Sequence, residues 1–469
     1  MEEALNKLRS IVGDTGFVTD AALADAMLVD ERGLYRGRAA AIVQPKTTTE
    51  LSRAVRFCHD AGIAMVPQGG NTGYCGGATP DASGTEVLVN LARMNELCEV
   101  DADDFTLTAQ AGVVLATAQQ AAAACNLLLP LSMGSEGSCQ LGGNVSTNAG
   151  GLSVLRYGTA KELVAGLEVV LPDGRIWSDL KGLRKDNTGY DLKQLFMGAE
   201  GTLGIVSTVV LRLSPLPRTR VTAWLALRDI VNAVGALGAL RTQLGDCITS
   251  FEYISRESLE LVLDTIPGTR KPIESPEGNY ALVELIAFDD GVSLNSEFEQ
   301  ALAEAITATN IDDAVIAQNE QQRRMFWQLR ESIPAAEKLS GGSVKHDVSV
   351  PIGKLGDYTN EAIAAMERRY PDSQLSIYGH VGDGNVHFNV LAREREHAGP
   401  FKEKNAQAIS TLIHEMAMAC NGSFSAEHGI GKLKREILAD IGDPVGLALM
   451  RQIKATLDPK GLMNPGKVL

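Results

Sequence analysis

The sequence predicts an α+β protein built from two large domains and a short C-terminal helical segment. Three observations predict it. The chain's 469 residues are too many for one hydrophobic core at roughly 150 residues per domain. The first half carries a strand, helix and strand unit that runs into a glycine loop, with two more glycine clusters behind it. Beyond Ser214-Pro-Leu-Pro-Arg218 the pattern turns to alternating strands and longer helices, which suits an antiparallel sheet with helices on one face. The boundaries read as 1–217, 218–420 and 421–469, with N-terminal helices ahead of a first core at about 37–216.

The elements follow in order. Ala41-Ile-Val43 is a short apolar strand, Pro45 breaks it, and Thr47-Thr-Thr-Glu50 has capping-box spacing for a helix through Ala61. A second strand, Ala64 to Val66, leads into Pro67-Gln-Gly-Gly-Asn-Thr-Gly-Tyr-Cys-Gly-Gly77. Val87 to Val113 is rich in strand formers, and Ala116 to Ala124 is an alanine-rich helix. Pro130 to Gly151 is a second run of glycine and small polar residues, too ordered in composition for a flexible linker. Leu167 to Trp177 alternates around Pro172-Asp-Gly174, a hairpin signal. Phe196 to Val206 is the third glycine cluster. Past the proline break come strands at Val221 to Leu227, Ser250 to Tyr253 and Tyr280 to Phe288, with helices at Ile230 to Leu244 and Ser296 to Thr309. The chain then returns to helices and closes on Met463-Asn-Pro-Gly-Lys467.

Composition narrows the function. Hydrophobic residues at 45% and charged residues at 22% are ordinary for a globular protein and exclude disordered and fibrous classes. A formal charge of −15, from 43 basic and 58 acidic side chains, argues against a nucleic-acid partner, which needs concentrated Lys and Arg. An anionic ligand must be met by a few local cations. Met1 to Leu8 is charged and does not resemble a secretory signal, and no apolar run reaches the ~18 to 20 residues of a membrane span. The seven cysteines are scattered without a CxxC, which suits buried thiols in a reducing compartment, and a cytoplasmic location is expected.

Glycine frees the backbone to adopt φ > 0 and lets N–H groups reach a ligand without intervening side chains. Three such clusters, rich in Asn, Ser and Thr but poor in Lys and Arg, suit a phosphate ligand held by amides and hydroxyls, such as a dinucleotide. Neither a G-x-G-x-x-G fingerprint nor a P-loop is present. The order Pro67-Gln-Gly-Gly-Asn-Thr-Gly73, Gly142-Gly-Asn-Val-Ser-Thr-Asn-Ala-Gly-Gly151 and Gly198-Ala-Glu-Gly-Thr-Leu-Gly-Ile-Val206 resembles the FAD-binding domain of the vanillyl-alcohol oxidase / p-cresol methylhydroxylase flavoprotein family. The resemblance implies that the first loop wraps the pyrophosphate and the second also lines the isoalloxazine. The implied contacts are Pro67, Gln68, Gly69, Gly70, Asn71, Thr72, Gly73, Gly142, Gly143, Asn144, Ser146, Thr147, Gly150, Gly151, Gly201, Ile205, Val206 and Asn464. Some members attach FAD through a His at the position that Asn71 holds here, so a non-covalent flavin is implied.

Four of the seven histidines, His346, His380, His387 and His428, cluster in the last third of the chain. If Val381 pairs with Val386 across a four-residue turn, His380 and His387 become a cross-strand pair able to chelate a divalent metal. Ser425-Ala-Glu-His-Gly-Ile-Gly431 offers Glu427 as a third ligand, a set suited to zinc, with manganese as an option. Oxidation of a 2-hydroxy acid by a flavin requires loss of the hydroxyl proton, which a metal acidifies and an imidazole removes. His428 is the candidate base, and the opposite split, with Glu427 as base and His428 as ligand, stays open. Arg330 can grip a carboxylate bidentately, and Lys345 adds a point charge.

Trp327-x-Leu-Arg330-Glu, Lys345-x-Asp-x-Ser-x-Pro351, Gly379-His-x-Gly-Asp-Gly-Asn-x-His387-x-Asn389 and Ser425-Ala-Glu-His-Gly-x-Gly431 resemble the D-2-hydroxyglutarate dehydrogenase / D-lactate dehydrogenase / glycolate oxidase branch of that family. The resemblance implies metal ligation by His380, His387 and Glu427, catalysis by His428, and substrate contacts from Arg330, Lys345, Asn389 and His428. It implies an FAD- and metal-dependent dehydrogenase of a D-2-hydroxy acid, D-2-hydroxyglutarate first and D-lactate as the alternative, with a protein or quinone electron acceptor. A flavin oxidase, or a non-catalytic flavin subunit of an oxidase complex, is the competing reading. A homodimer is the default expectation. The chain departs from the mitochondrial D-2-hydroxyglutarate pattern at Pro334, where a substrate-binding Thr stands, leaving Ser332 or His346 to compensate.

Overall fold

A computed structural model describes residues 2–274, 278–308 and 310–469. The chain divides into two compact units. The first comprises Met1–Gly151, Gly158–Leu216 and Glu427–Leu469, the second Leu152–Tyr157 and Pro217–Ala426.

In the first unit the helix Thr48–Ala61 is capped by Thr47, whose side chain accepts from the Glu50 N–H. The Glu50 carboxylate reaches back to the Lys46 N–H at 2.7 Å rather than to Thr47, and Gly62 at φ 68° ends the helix. Strand Ala41–Val43 pairs in parallel with Val87–Asn90, which pairs in parallel with Met65–Gln68. The second strand therefore runs two residues beyond Val66 and includes Pro67 and Gln68. The free edge of this strand is met by the C-terminal segment, where Met65 N–H donates to Leu462 and Met65 O accepts from Asn464.

A five-stranded antiparallel sheet completes the unit, with Val164–Val170 and Ile176–Asp179 joined as a hairpin in which Val170 opposes Ile176. Gly174 takes φ 84° at its turn, the left-handed conformation that glycine tolerates without cost. Leu141–Ser146, within the second glycine run, is helical rather than a loop. Packing overrides the low helix propensity of Gly142 and Gly143 here: a Cβ on Gly142 would come within 2.6 Å of the Ala111 Cβ. The C-terminal segment carries helices Arg435–Ile441 and Pro444–Leu457 ahead of that strand-covering stretch.

The second unit is a seven-stranded antiparallel sheet in the order Asp313–Ile316, Thr219–Leu227, Asn279–Ala287, Ile248–Ile254, Ser373–His380, Asn385–Ala392, Asp347–Ser349. Helices cover both of its faces, not one. Val221, Ala223 and Leu225 pack with residues of helices Ile230–Leu244, Val292–Thr307 and Leu355–Arg369. Trp224, Ala226 and Leu282 pack on the opposite face with residues of Arg256–Thr265, Glu320–Glu331 and Ile333–Leu339. The physical reason is visible in Val221-Thr-Ala-Trp-Leu-Ala-Leu227, which is buried at every position instead of alternating. The helix expected from Ser296 begins at Val292, and its expected last residue, Thr309, lies outside the described residues.

No helix among the described residues is long and apolar enough to cross a membrane. Cys58, Cys75 and Cys139 are buried, but Cys98 and Cys125 are exposed, so burial of thiols is not general.

Candidate active site

The three glycine clusters converge within the first unit. Gly70 packs so tightly that a Cβ would collide with the Ser138 carbonyl, and a Cβ on Gly201 would lie 3.0 Å from Pro67. Gly198 N–H donates to Val145 O and Glu200 N–H to Ser146 O at 2.7 Å. Most of the polar side chains expected at the cofactor are committed to the protein. Gln68, 1% exposed, donates to Met27 O and Ala78 O. Asn71, at φ 57°, donates to Val29 O, Asn144 to Cys139 Sγ, and Thr147 to Gly143 O. Ile205 and Val206 are buried strand residues paired with Val170 and Val169. Gly151 is pressed against the Ser132 carbonyl, and Gly150 precedes it beside Ala149.

Open space lies instead at Gly73 and Gly143, where a Cβ would meet nothing within 4 Å. Thr72 adjoins Gly73. Buried acceptor atoms, Gln140 Oε1 and Asn464 Oδ1, and the Thr79 hydroxyl have no partner among the described residues. The hydroxyls, imide and amine of an FAD are donors of the kind such acceptors require. These unpartnered acceptors and the open backbone at Gly73 and Gly143 therefore fit FAD. Gln140, whose Oε1 is 3.6 Å from the Cβ position of Gly69, was not foreseen, because a lone Gln before a glycine pair carries no distinctive sequence signal.

The C-terminal turn is bound into the same unit. Glu200, at φ 50°, accepts the Ile430 and Gly431 N–H groups at 2.7 and 2.8 Å. Burial pushes its carboxyl above the ordinary range despite those two bonds. Asn464 Nδ2 donates to Gly77 O and Glu200 O. Tyr74 meets the His428 ring edge-on, with centroids 4.9 Å apart, so the first glycine loop and the candidate base are neighbours.

In the second unit the histidine hairpin has a different register from the expected one. Tyr378 opposes His387, and Ser376 opposes Asn389, so Val381 does not pair with Val386. His380 and His387 still share a face, diagonally, with ring centroids 5.7 Å apart. The shift arises because strand Ser373–His380 ends at the first histidine, and a Cβ at Gly379 would collide with the Asn385 carbonyl. His380 is flanked on its other side by Glu252, its register partner.

Glu252 is 1% exposed and divides its oxygens between His380 Nδ1 at 2.6 Å and Arg330 Nε at 2.8 Å. Burial opposes its charge, but His380 and Arg330 outweigh burial and hold its carboxyl below the ordinary range. The Arg330 guanidinium lies 4.7 Å from the Tyr378 ring centroid, and that ring packs against His387 at 4.9 Å. A second buried carboxylate, Glu337, accepts from Lys345 Nζ at 2.8 Å, Ser343 Oγ at 2.9 Å and Asn389 Nδ2 at 2.8 Å. Asn389 Oδ1 accepts from the His346 N–H, so both ends of that amide are engaged by protein. His346, suggested as a substitute substrate contact, is 2% exposed with its ring nitrogens at Phe388 O and Ser410 Oγ. Ser332 stands between helices Glu320–Glu331 and Ile333–Leu339, and Pro334 is exposed in the second.

The donors for a metal fit a divalent ion. With Nδ1 of His380 committed to Glu252, Nε2 is its outward nitrogen. Asp347 Oδ1 lies 3.8 Å from His387 Nδ1. The Ala426 N–H donates to Asp347 O, and Glu427 follows it by one peptide bond. His380 and His387 are the two metal-type donors that the second unit holds together, with ring centroids 5.7 Å apart. Glu252, Glu337 and Tyr378 were not foreseen. The available signal was a single Glu inside the apolar strand Ile248–Ile254 and another inside the short helix Ile333–Leu339.

The fold and these sites define a flavin-binding unit joined to a sheet unit that carries cations and metal-type donors. Residues 39–179 match the FAD binding domain family, and residues 216–468 match the C-terminal domain of the FAD linked oxidases. The chain belongs to the FAD-linked oxidase family. It is 36% identical over 462 residues, 98% of its length and 80% of the other's, to a protein of Arabidopsis thaliana named D-2-hydroxyglutarate dehydrogenase, mitochondrial. It is also 36% identical over 470 residues, 99% of its length and 98% of the other's, to D-2-hydroxyglutarate dehydrogenase of Stutzerimonas stutzeri. Among solved structures, p-cresol methylhydroxylase with substrate bound aligns at a TM-score of 0.75 and 16% identity, over 100% of this chain and 96% of that one. Alkyldihydroxyacetonephosphate synthase aligns at 0.76 and 16%, over 99% and 86%.

Proposed function

We propose that this chain is an FAD- and divalent-metal-dependent dehydrogenase that oxidises a D-2-hydroxy acid to the 2-keto acid, with D-2-hydroxyglutarate as the first substrate. The observation that carries the reading is the chain of contacts that joins Arg330 to His380 through Glu252, Arg330 to His387 through the Tyr378 ring, and Lys345 to Asn389 through Glu337. Bound FAD supplies the hydride acceptor, and a bound zinc or manganese ion supplies Lewis acidity toward the substrate hydroxyl. His380, His387 and Glu427 would hold the ion. Arg330, oriented by Glu252 and Tyr378, grips the substrate carboxylate, and Lys345 supplies a second positive charge. Asn389 holds its place beside Lys345 through Glu337. His428 takes the hydroxyl proton on its imidazole, steadied by the edge contact with Tyr74.

The names of the relatives support the substrate class. Asn71, committed to Val29 O, supports a non-covalent flavin. A cytoplasmic location, an electron-accepting protein or quinone partner and a homodimer complete the proposal. The test is a panel of D-2-hydroxyglutarate, D-lactate, D-malate and glycolate with a dye acceptor, with and without chelator. Dye reduction that chelator abolishes is expected for at least one D-2-hydroxy acid. Protein that stays colourless after reconstitution with FAD, or reduces dye with none of these acids, sinks the proposal. His428→Ala should lower turnover by ~100-fold or more while the flavin spectrum is retained.

A further inference from the structure

We infer that Glu252 is a positioning residue that sets the metal-binding nitrogen and the carboxylate-binding cation together, an inference that rests on the reading above. Its side chain is 1% exposed and sits on the interior strand Ile248–Ile254. One oxygen takes His380 Nδ1 and the other takes Arg330 Nε. The first bond fixes the tautomer, so that Nε2 carries the lone pair a metal needs, and it raises the basicity of the ring. The second bond engages Nε alone, which, among the described residues, leaves the two terminal nitrogens of the Arg330 fork for a substrate carboxylate. Tyr378 braces the same guanidinium from its face at 4.7 Å and presses on His387 at 4.9 Å. The strand register reinforces the arrangement, because Glu252 and His380 are directly paired.

Gln at position 252 has the shape of Glu but only one acceptor atom, so it can satisfy His380 or Arg330 and presents a donor to the other. In FAD-loaded Glu252→Gln protein, zinc affinity measured by competition with a chromophoric chelator should fall about ten- to hundredfold. Independently, the affinity of metal-free, FAD-loaded protein for 2-oxoglutarate, read from the flavin absorbance, should fall about tenfold or more. The double variant Glu252→Leu/Arg330→Met removes both charges and the acceptor for His380, and it guards against loss of folding through an unpaired buried guanidinium. It should bind zinc as weakly as the single variant. Wild-type zinc affinity in either variant, or an unchanged 2-oxoglutarate affinity in Glu252→Gln, overturns the inference. If the wild-type protein itself binds neither zinc nor 2-oxoglutarate, the functional reading fails first, and the inference falls with it.

Discussion

A carboxylate fully withdrawn from water and surrounded by three donors, as Glu337 is, is costly to disturb. Replacing it by Gln leaves either Asn389 or the Lys345 and Ser343 pair facing a donor instead of an acceptor, and a buried unsatisfied group costs ~1–3 kcal/mol. Glu337→Gln should therefore lower the denaturant-unfolding free energy by about that amount and raise KM for the D-2-hydroxy acid, with a smaller change in kcat. The KM change should vanish when the substitution is made in a Lys345→Ala background. Multiplicative effects of the two substitutions would show that Glu337 does not act through Lys345. The sequence made Arg330, Lys345, Asn389 and the histidines legible because each sits in a compact motif. Glu252 was not legible as a site residue because its partners Arg330 and His380 lie 78 and 128 positions away, and Glu337, although near Lys345 in sequence, meets Asn389 only across 52 positions. Only the fold brings such pairs together.

At the level of elements, the glycine clusters divide into positions that pack and positions that stay open. Gly143 lies in a helix, and a Cβ there would meet nothing within 4 Å. Gly143→Ala should stabilise the FAD-free protein by up to about 1 kcal/mol, through helix propensity, while weakening FAD retention on dialysis. Gly70→Ala should destabilise the FAD-free protein by ~1–3 kcal/mol, because its Cβ meets backbone that cannot yield. Equal effects of the two substitutions on FAD-free stability would contradict this division. The strands and helices themselves were largely legible from periodicity and caps, as Thr47 demonstrates. The hairpin register was not, because symmetric valines suggested a closure that the approach of Gly379 to Asn385 forbids. Helices on the second face of the sheet were missed for a related reason: a strand apolar on both sides gives no alternation from which to tell one covered face from two.

For the whole molecule, Glu200 links stability to pH. Burial raises its folded-state pKa above the ordinary carboxylate value, so the folded state binds the proton more tightly than the unfolded chain. Stability must then fall as pH rises from the usual carboxylate range through the raised value. Glu200→Gln lacks this slope, so its melting temperature relative to wild type should climb with pH across that window. A difference that is flat with pH would show that the group titrates normally. Charge and composition had indicated an acidic protein with few cations near its ligand, and the pairing of Arg330 with Glu252 and Lys345 with Glu337 gives that expectation a concrete form.

The strand Met65–Gln68 has a further consequence during biosynthesis. It lies at the edge of its three-stranded sheet, and its outer side is closed by Leu462 and Asn464, which are synthesised long after it. At ~5–20 residues per second, a nascent chain would wait on the order of 20–80 s between making Met65 and making the segment that covers it. Throughout that interval an apolar strand edge would be open to the wrong neighbour. Chaperone protection of this edge during translation should therefore raise the yield of folded protein.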